Sequence, residues 1–201
     1  GTDIDRDPLA YAVAKQGTKG TAVIDESTGR FVYTPKLNEH GADQFTVQVS
    51  DGPTKAEAVV RVAIAPVNDA PEAQAAAVTG DEDHAMQGDA SARDVDGDAL
   101  SFRIVSAPRR GTLELDARTG AWRFTPRANE NGADSFRFEA SDGKLRSTAD
   151  VALTIAAVND APEAKNLALS TSEEKAVAGA VVASDVDRDK LSWSQGLAPK
   201  K

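Results

Sequence analysis

Hydrophobic residues in the middle of the chain come in short alternating runs. Leu100, Phe102 and Ile104 are separated by Ser101 and Arg103, and Trp122 and Phe124 by Arg123. Phe136, Phe138 and Ala140 alternate with Arg137 and Glu139, and Ala149, Val151, Leu153 and Ile155 close the series. A period of two marks a strand with one buried and one solvated face. Leu113 and Leu115 add a short strand, preceded by the alanine-rich run Ala73–Val78 and the weaker run Ala85–Ala92. Asp116–Gly120 and Ser141-Asp142-Gly143 supply turns between the runs. No stretch shows helical periodicity. Seven short strands set off by turns predict an all-β Greek-key sandwich.

The pattern recurs. VNDAPEA stands at Val67–Ala73 and again at Val158–Ala164, 91 residues on. The same offset carries Asp3-Ile4-Asp5-Arg6-Asp7 to Asp94-Val95-Asp96-Gly97-Asp98 and to Asp185-Val186-Asp187-Arg188-Asp189. It also carries Thr28-Gly29 to Thr119-Gly120 and Gly41-Ala42-Asp43 to Gly132-Ala133-Asp134. A fixed long period identifies a tandem array. Its boundaries fall at residues 1–69, 70–160 and 161–201, and only the middle repeat is complete. The first lacks its first two strands and the last holds only first strands, so the expectation is a piece of a longer array of immunoglobulin-like sandwiches. Open sheet edges on the first repeat make strand donation between chains a further expectation.

Composition narrows the partners. There are 32 acidic and 23 basic residues, a formal net charge of −9, which argues against nucleic acid or an anionic membrane. No cysteine is present, so neither a disulfide nor a zinc thiolate site exists. No apolar run reaches membrane-spanning length and no signal peptide is visible, so no membrane insertion is expected. The core is light in aromatics, which predicts modest stability. His40 and His84 do not recur and no Ser/His/Asp spacing repeats, so no catalytic set emerges. Trp122 is expected in the core, and Arg109-Arg110 in a solvated loop.

The carboxylates carry the remaining chemistry. With an odd number of strands the chain enters a sandwich at one end and leaves at the other. Asp94–Asp98, Asp116–Gly120 and Ser141–Gly143 then share the entry end, and Glu82-Asp83, Asn129–Asp134 and Asn159-Asp160 the exit end. Stacked end to end, the repeats would gather Glu39, Asn68, Asp69, Asp94, Asp96, Asp98 and Asp142 at one junction. The next junction would hold Glu82, Asp83, Glu130, Asn159, Asp160, Asp185 and Asp187. Crowded carboxylates repel unless a cation sits among them, and a set of hard oxygen donors suits calcium better than magnesium. Asp and Asn are also ordinary turn formers, and Asp-x-Asp-Gly-Asp equally caps a hairpin. An EF-hand is excluded, because the twelfth position from Asp94 is Val105.

Asp94–Leu100 followed by SFRIVSAPRRGTLELD, then TGAWRFTP, NENGADSFRFEASDG and VNDAPEA, resembles the bacterial cadherin-like tandem repeats of very large secreted adhesins of RTX type (the Tandem-95 and VCBS-related class). The order also resembles animal cadherin repeats, in which an Asp-x-Asp loop, an acidic loop and an Asn-Asp linker bind calcium between domains. The resemblance implies tandem cadherin-like, seven-stranded sandwiches in an extracellular stalk exported by a type I system. It places linker ligands on Asn68, Asp69, Asn159 and Asp160. The Asp-x-Asp pairs fall on Asp94/Asp96 and Asp185/Asp187, and the Glu-Asp pair on Glu82/Asp83. Departures are Glu173-Glu174 in the third copy, Val67 and Val158 where the animal linker has an aspartate, and a loose match at Glu39 and Glu130. One or two ions per junction is the resulting expectation.

The first function this implies is a non-catalytic, calcium-rigidified extender whose partners are neighbouring repeats, with surface proteins or glycans reached through other domains. Its rival is a module that binds glycan or protein directly through a sandwich face. An enzyme ranks third.

Overall fold

The computed structural model describes residues 7–194; the Asp-x-Asp copy at Asp3–Arg6 lies outside them. No helix occurs among the described residues. The chain forms two compact units. One takes in the chain up to Pro71 together with Arg93–Ala99 and Asp142–Leu145; the other takes in Glu72–Ala92, Leu100–Ser141 and the chain from Arg146 on.

In the first unit, β1 (Ala10–Lys15), β4 (Gly41–Ser50) and β5 (Lys55–Ile64) form an antiparallel sheet in the order β1-β4-β5. The hairpin of β2 (Gly20–Ile24) and β3 (Phe31–Pro35) is the second layer. Phe45 and Ala22 are its buried apolar residues. Phe31 meets Phe45 edge-on at 5.2 Å, and Tyr33 stacks on Phe45 at 5.9 Å. Asp43 fastens the neighbouring loop, accepting from Thr18 N and Lys19 N at 3.0 Å each and from the Tyr33 hydroxyl. The Tyr33 hydroxyl is pushed up to about 12, by burial first and then by its bond to Asp43.

The second unit carries β6 (Glu72–Ala73), β7 (Ala76–Asp81), β8 (Met86–Asp89), β9 (Ala92–Arg93), β10 (Ser101–Ser106), β11 (Gly111–Leu115), β12 (Ala121–Pro126), β13 (Gly132–Ser141) and β14 (Arg146–Ala156). One sheet runs β10-β13-β14-β7 and the other β11-β12-β8. All pairings in these two sheets are antiparallel except β7 on β14. The strand expected at Ala73–Val78 is broken. Near Gln74, whose N donates to Ser91 O at 2.9 Å, it follows one edge; from Ala76 it follows β14. Switching edges lets one strand close both layers. Downstream, β15 (Glu163–Ala164) pairs with β16 (Ala183–Ser184).

The alternation seen in the sequence becomes the core between these sheets. Phe124, Phe136, Phe138, Ala140, Val151, Leu153 and Ile155 are buried, and Trp122 is only 4% exposed. Trp122 lies opposite Gly88 in register, and a Cβ on Gly88 would stand 2.7 Å from the indole. The missing side chain lets the ring cover the neighbouring strand. The outer face of β10-β13-β14 is a ladder of cross-strand ion pairs. Arg103 grips Glu139 at 2.8 and 2.7 Å, and Arg137 grips Asp150 at the same two distances. Glu139, which alternation assigns to the solvent face, is buried there under Arg103.

Phe136 meets Trp122 edge-on at 5.3 Å. Phe136→Ala should therefore cost about 3–5 kcal/mol, read as a lower urea midpoint by tryptophan fluorescence. Phe31→Ala, at a position 46% exposed, should cost markedly less. Acid supplies a second check. The Asp25 carboxyl is held down at about 2 by the Thr28 N–H and the Ser27 hydroxyl, and Asp116 is lowered by the N–H groups of Thr119 and Arg118. A lowered native pKa stabilises fully above the unfolded value and loses that effect as pH falls through the native one. In chelator, the unfolding temperature followed by circular dichroism should fall between about pH 4 and 2, less steeply for Asp116→Asn.

Candidate functional site

The first unit gathers Asn68, Asp69, Asp94, Asp96, Asp98 and Asp142. The Asp94–Asp98 loop folds on itself: Asp94 Oδ1 accepts from Asp96 N at 2.9 Å and Asp98 N at 3.3 Å, with Gly97 in the left-handed region at φ 77°. Asp96 Oδ2 accepts from Asp69 N at 2.8 Å, which ties loop to linker. Asp142 Oδ1 caps its own turn, accepting from Lys144 N and Leu145 N at 2.6 Å each. Its other oxygen accepts from Asn68 Nδ2 at 2.7 Å. That bond, followed by the two N–H groups, lowers the Asp142 pKa. Asp94 Oδ2 is buried with no hydrogen-bond partner. Glu39, His40, Val67, Asp69 and Asp96 line an open cleft of about 400 Å³.

The second unit gathers Glu82, Asp83, Asn159, Asp160, Asp185 and Asp187. Glu82 is 1% exposed; Oε1 accepts from Val158 N at 2.8 Å and Oε2 from Asn131 Nδ2 at 3.2 Å. Asp83 Oδ1 accepts from Asn129 N at 2.9 Å. Asp187 Oδ2 accepts from Asp160 N at 2.6 Å, repeating the Asp96–Asp69 bond one period later. Asn159 Nδ2 donates to Asp160 O at 3.0 Å, as Asn68 does to Asp69 O at the same distance. Asp160 Oδ2 is buried without a partner. Burial pushes the Asp160 carboxyl up, helped by the charges of Asp187, Asp83, Glu82 and Asp185. Asn129, Asp160 and Asp185 line an open cleft of about 450 Å³.

Three candidates, Glu130, Asn68 and Asp98, are engaged by cations from the chain itself. Glu130 pairs with Arg110 at 2.8 Å, so Arg110 is half-buried and ion-paired where a solvated loop was expected. Lys144 donates to Asn68 Oδ1 at 2.8 Å and stands 4.0 Å from Asp98. Among the described residues, no three His, Cys, Asp or Glu side chains are arranged to hold a metal ion as they stand. Their oxygens face backbone N–H groups, Lys144 and Arg110 instead. Sequence reasoning set the Asn129–Asp134 loop at the exit end but missed Asn131 as a partner of Glu82, and it missed Lys144. The first copy has Pro53 in place of Lys144 and His40 in place of Asn131, so a search for recurring residues passes over both.

The model of the bacterial cadherin-like domain matches residues 1–66 and 68–157. No curated protein matches the chain. Among solved structures, the human protocadherin-24 EC1-2 fragment (form II) is 13% identical, covering 78% of this chain and 86% of its own, with a TM-score of 0.53. Drosophila N-cadherin EC1-4 is 17% identical, covering 81% of this chain and 45% of its own, at 0.51. These likenesses are of fold. An endo-fucoidan hydrolase of glycoside hydrolase family 107 is 22% identical over 77% of this chain at a TM-score of 0.40, and the chain spans 24% of its length.

Glu82 offers a direct check on the second cluster. Glu82→Ala should cost about 1 kcal/mol or more, because the part-buried Val158 N–H loses its acceptor. Glu82→Gln, which keeps an acceptor, should cost less. Equal unfolding midpoints for the two variants would mean that the Val158 bond contributes nothing.

Proposed function

Because the chain belongs to the bacterial cadherin-like domain family, we propose that it is a non-catalytic spacer of a secreted or cell-surface adhesin of RTX type, stiffened by calcium at its Asn-Asp linkers. One observation carries this reading. At both linkers one hydrogen bond runs within the Asn-Asp pair and one ties the pair to the following Asp-x-Asp loop, and each cluster keeps one buried, unpartnered carboxylate oxygen. A buried oxygen without a donor is costly, and the raised pKa of Asp160 reports the same unmet demand for positive charge.

The residues that would hold an ion are Asp69, Asp94, Asp96 and Asp142, with Asn68 and Glu39, in the first cluster. In the second they are Glu82, Asp83, Asp160, Asp185 and Asp187, with Asn159. Asp98 and Glu130, close to Lys144 and Arg110, contribute less. Calcium supplies positive charge and accepts six to eight oxygen ligands, carbonyls included. Carboxylates from linker and loop drawn onto one centre would fix the angle between repeats. The partners are then neighbouring repeats, with surface proteins or glycans met by other domains. The ion-pair ladder on the β10-β13-β14 face offers no aromatic platform for a sugar, which favours a spacer over a module that binds glycan directly.

Thermal unfolding in excess calcium, in excess magnesium and in chelator tests the proposal. Calcium should raise the unfolding temperature, by an amount equivalent to about 2.7 kcal/mol at a hundredfold excess over Kd. Magnesium should raise it far less, and Asp94→Ala/Asp96→Ala should shrink the calcium response. No rise with calcium, or an equal rise with both ions, would sink it.

A further inference from the structure

A cation already stands at the first cluster, and the chain supplies it. Lys144 Nζ donates to Asn68 Oδ1 at 2.8 Å and lies 4.0 Å from Asp98 Oδ2. The lysine is held at both ends. Its backbone N–H donates to Asp142 Oδ1 at 2.6 Å, in a turn where Gly143 takes left-handed backbone at φ 94°. The amide that receives its ammonium is fixed as well. Asn68 Nδ2 donates to Asp142 Oδ2 at 2.7 Å and to Asp69 O at 3.0 Å. Asp142 thus positions both the lysine and its acceptor.

The turn itself does not require a lysine. The preceding copy has Pro53 at this place, and there Asp51 closes the same turn with Thr54. Asp51 Oδ1 accepts from Thr54 N at 2.8 Å and Oδ2 from the Thr54 hydroxyl at 2.6 Å. In the middle repeat Asp142 keeps its second oxygen for Asn68, and a charged side chain is brought over the linker instead. The ammonium meets the cluster only in part, because Asp94 Oδ2 stays buried and unpartnered. The Lys144 side chain is 69% exposed, so its amine can move into water without disturbing the core.

Resting on the calcium reading above, we propose that Lys144 is a tethered counter-ion that competes with calcium at the first cluster. While no ion is bound, its charge offsets the repulsion among Asp69, Asp94, Asp96, Asp98 and Asp142. An entering divalent ion meets it as a like charge and finds Asn68 Oδ1, an oxygen of the kind calcium takes, already engaged. The ion-free linker is thereby held in shape, and the cluster fills only at a higher calcium concentration. The direction of the effect separates this role from simple fastening. Removing a fastener loosens the ligands and weakens calcium binding, whereas removing a competitor tightens it.

Calorimetric titration with calcium chloride tests the proposal, in a chain carrying Asp185→Asn/Asp187→Asn to silence the second cluster. Lys144→Met keeps the stem and drops the charge. It should tighten calcium binding by roughly threefold to tenfold at low salt, and the gain should shrink as added salt screens the charge. Lys144→Arg, which keeps the charge, should bind as the lysine does. In chelator, Lys144→Met should unfold at a lower temperature than its parent. Calcium binding that is unchanged or weaker in Lys144→Met would overturn the counter-ion role and leave the calcium reading standing. Equal unfolding temperatures in chelator would also overturn it. Absence of calcium binding in the parent and in every variant would overturn both.

Discussion

A carboxylate drawn out of bulk water needs donors or a cation close by, and this chain meets that need in three ways. Asp25, Asp51 and Asp116 take N–H and hydroxyl groups from their own turns. Glu139, Asp150 and Glu130 take an arginine from a neighbouring strand or loop. The linker clusters do neither completely. There the donors satisfy one oxygen of Asp94, and the N–H of Asp160 is spent on Asp187, leaving Asp94 Oδ2 and Asp160 Oδ2 bare. The distinction sorts the acidic residues by chemistry rather than by number. A bare carboxylate oxygen still lacks a positive partner, and an oxygen that accepts one hydrogen bond keeps a lone pair for an ion.

The same accounting separates the copies of the sandwich. The middle repeat carries two bidentate arginine pairs on the outer face of one sheet, and its core holds Phe102, Trp122, Phe124, Phe136 and Phe138, more rings than the overall aromatic content of 5% suggests. One period earlier the pairs become Ala12 with Gln48 and Thr46 with Val59, and Phe138 becomes Val47. Both copies keep the same local fastening, Asp43 gathering Thr18, Lys19 and Tyr33 and its counterpart Asp134 gathering the N–H groups of Arg109 and Arg110. Without disulfides, a sandwich depends on both layers being covered. The two main sheets of the middle repeat hold seven strands, and the layers of the first unit hold five among its described residues.

How much of this was legible in the sequence follows from range. Alternation placed Phe102, Trp122, Phe124, Phe136, Phe138, Val151, Leu153 and Ile155 correctly in the core, because one-sided burial imprints a period of two on each strand. The odd strand count, with repeats stacked end to end, set Asp96 beside Asp69 and Asp187 beside Asp160, and a hydrogen bond joins each pair. What escaped lies in contacts that occur once. Glu139 reads as solvent-facing until Arg103, 36 residues away in sequence, is laid across it. Arg110 meets Glu130, and Lys144 meets Asn68, through pairings with no echo in the first copy. The break between β6 and β7 is a change of partner, and local pattern carries no record of partners.

One irregularity in the repeated loop bears on whether its aspartates merely turn the chain. The residue between the second and third aspartate is Gly97 in one copy and Arg188 in the next, and both take left-handed backbone, at φ 77° and 66°. Glycine adopts that conformation freely, while a side chain costs roughly 1–2 kcal/mol. A loop kept only to reverse direction would keep its glycine. Here the glycine is given up and the aspartates stay. Asp94 and Asp185 hold the shape in both copies by accepting from the N–H four residues on, at 3.3 and 3.2 Å. What recurs is thus the position of carboxylates next to the Asn-Asp linker, maintained even at the expense of backbone strain. That recurrence supports the proposed ion at each linker.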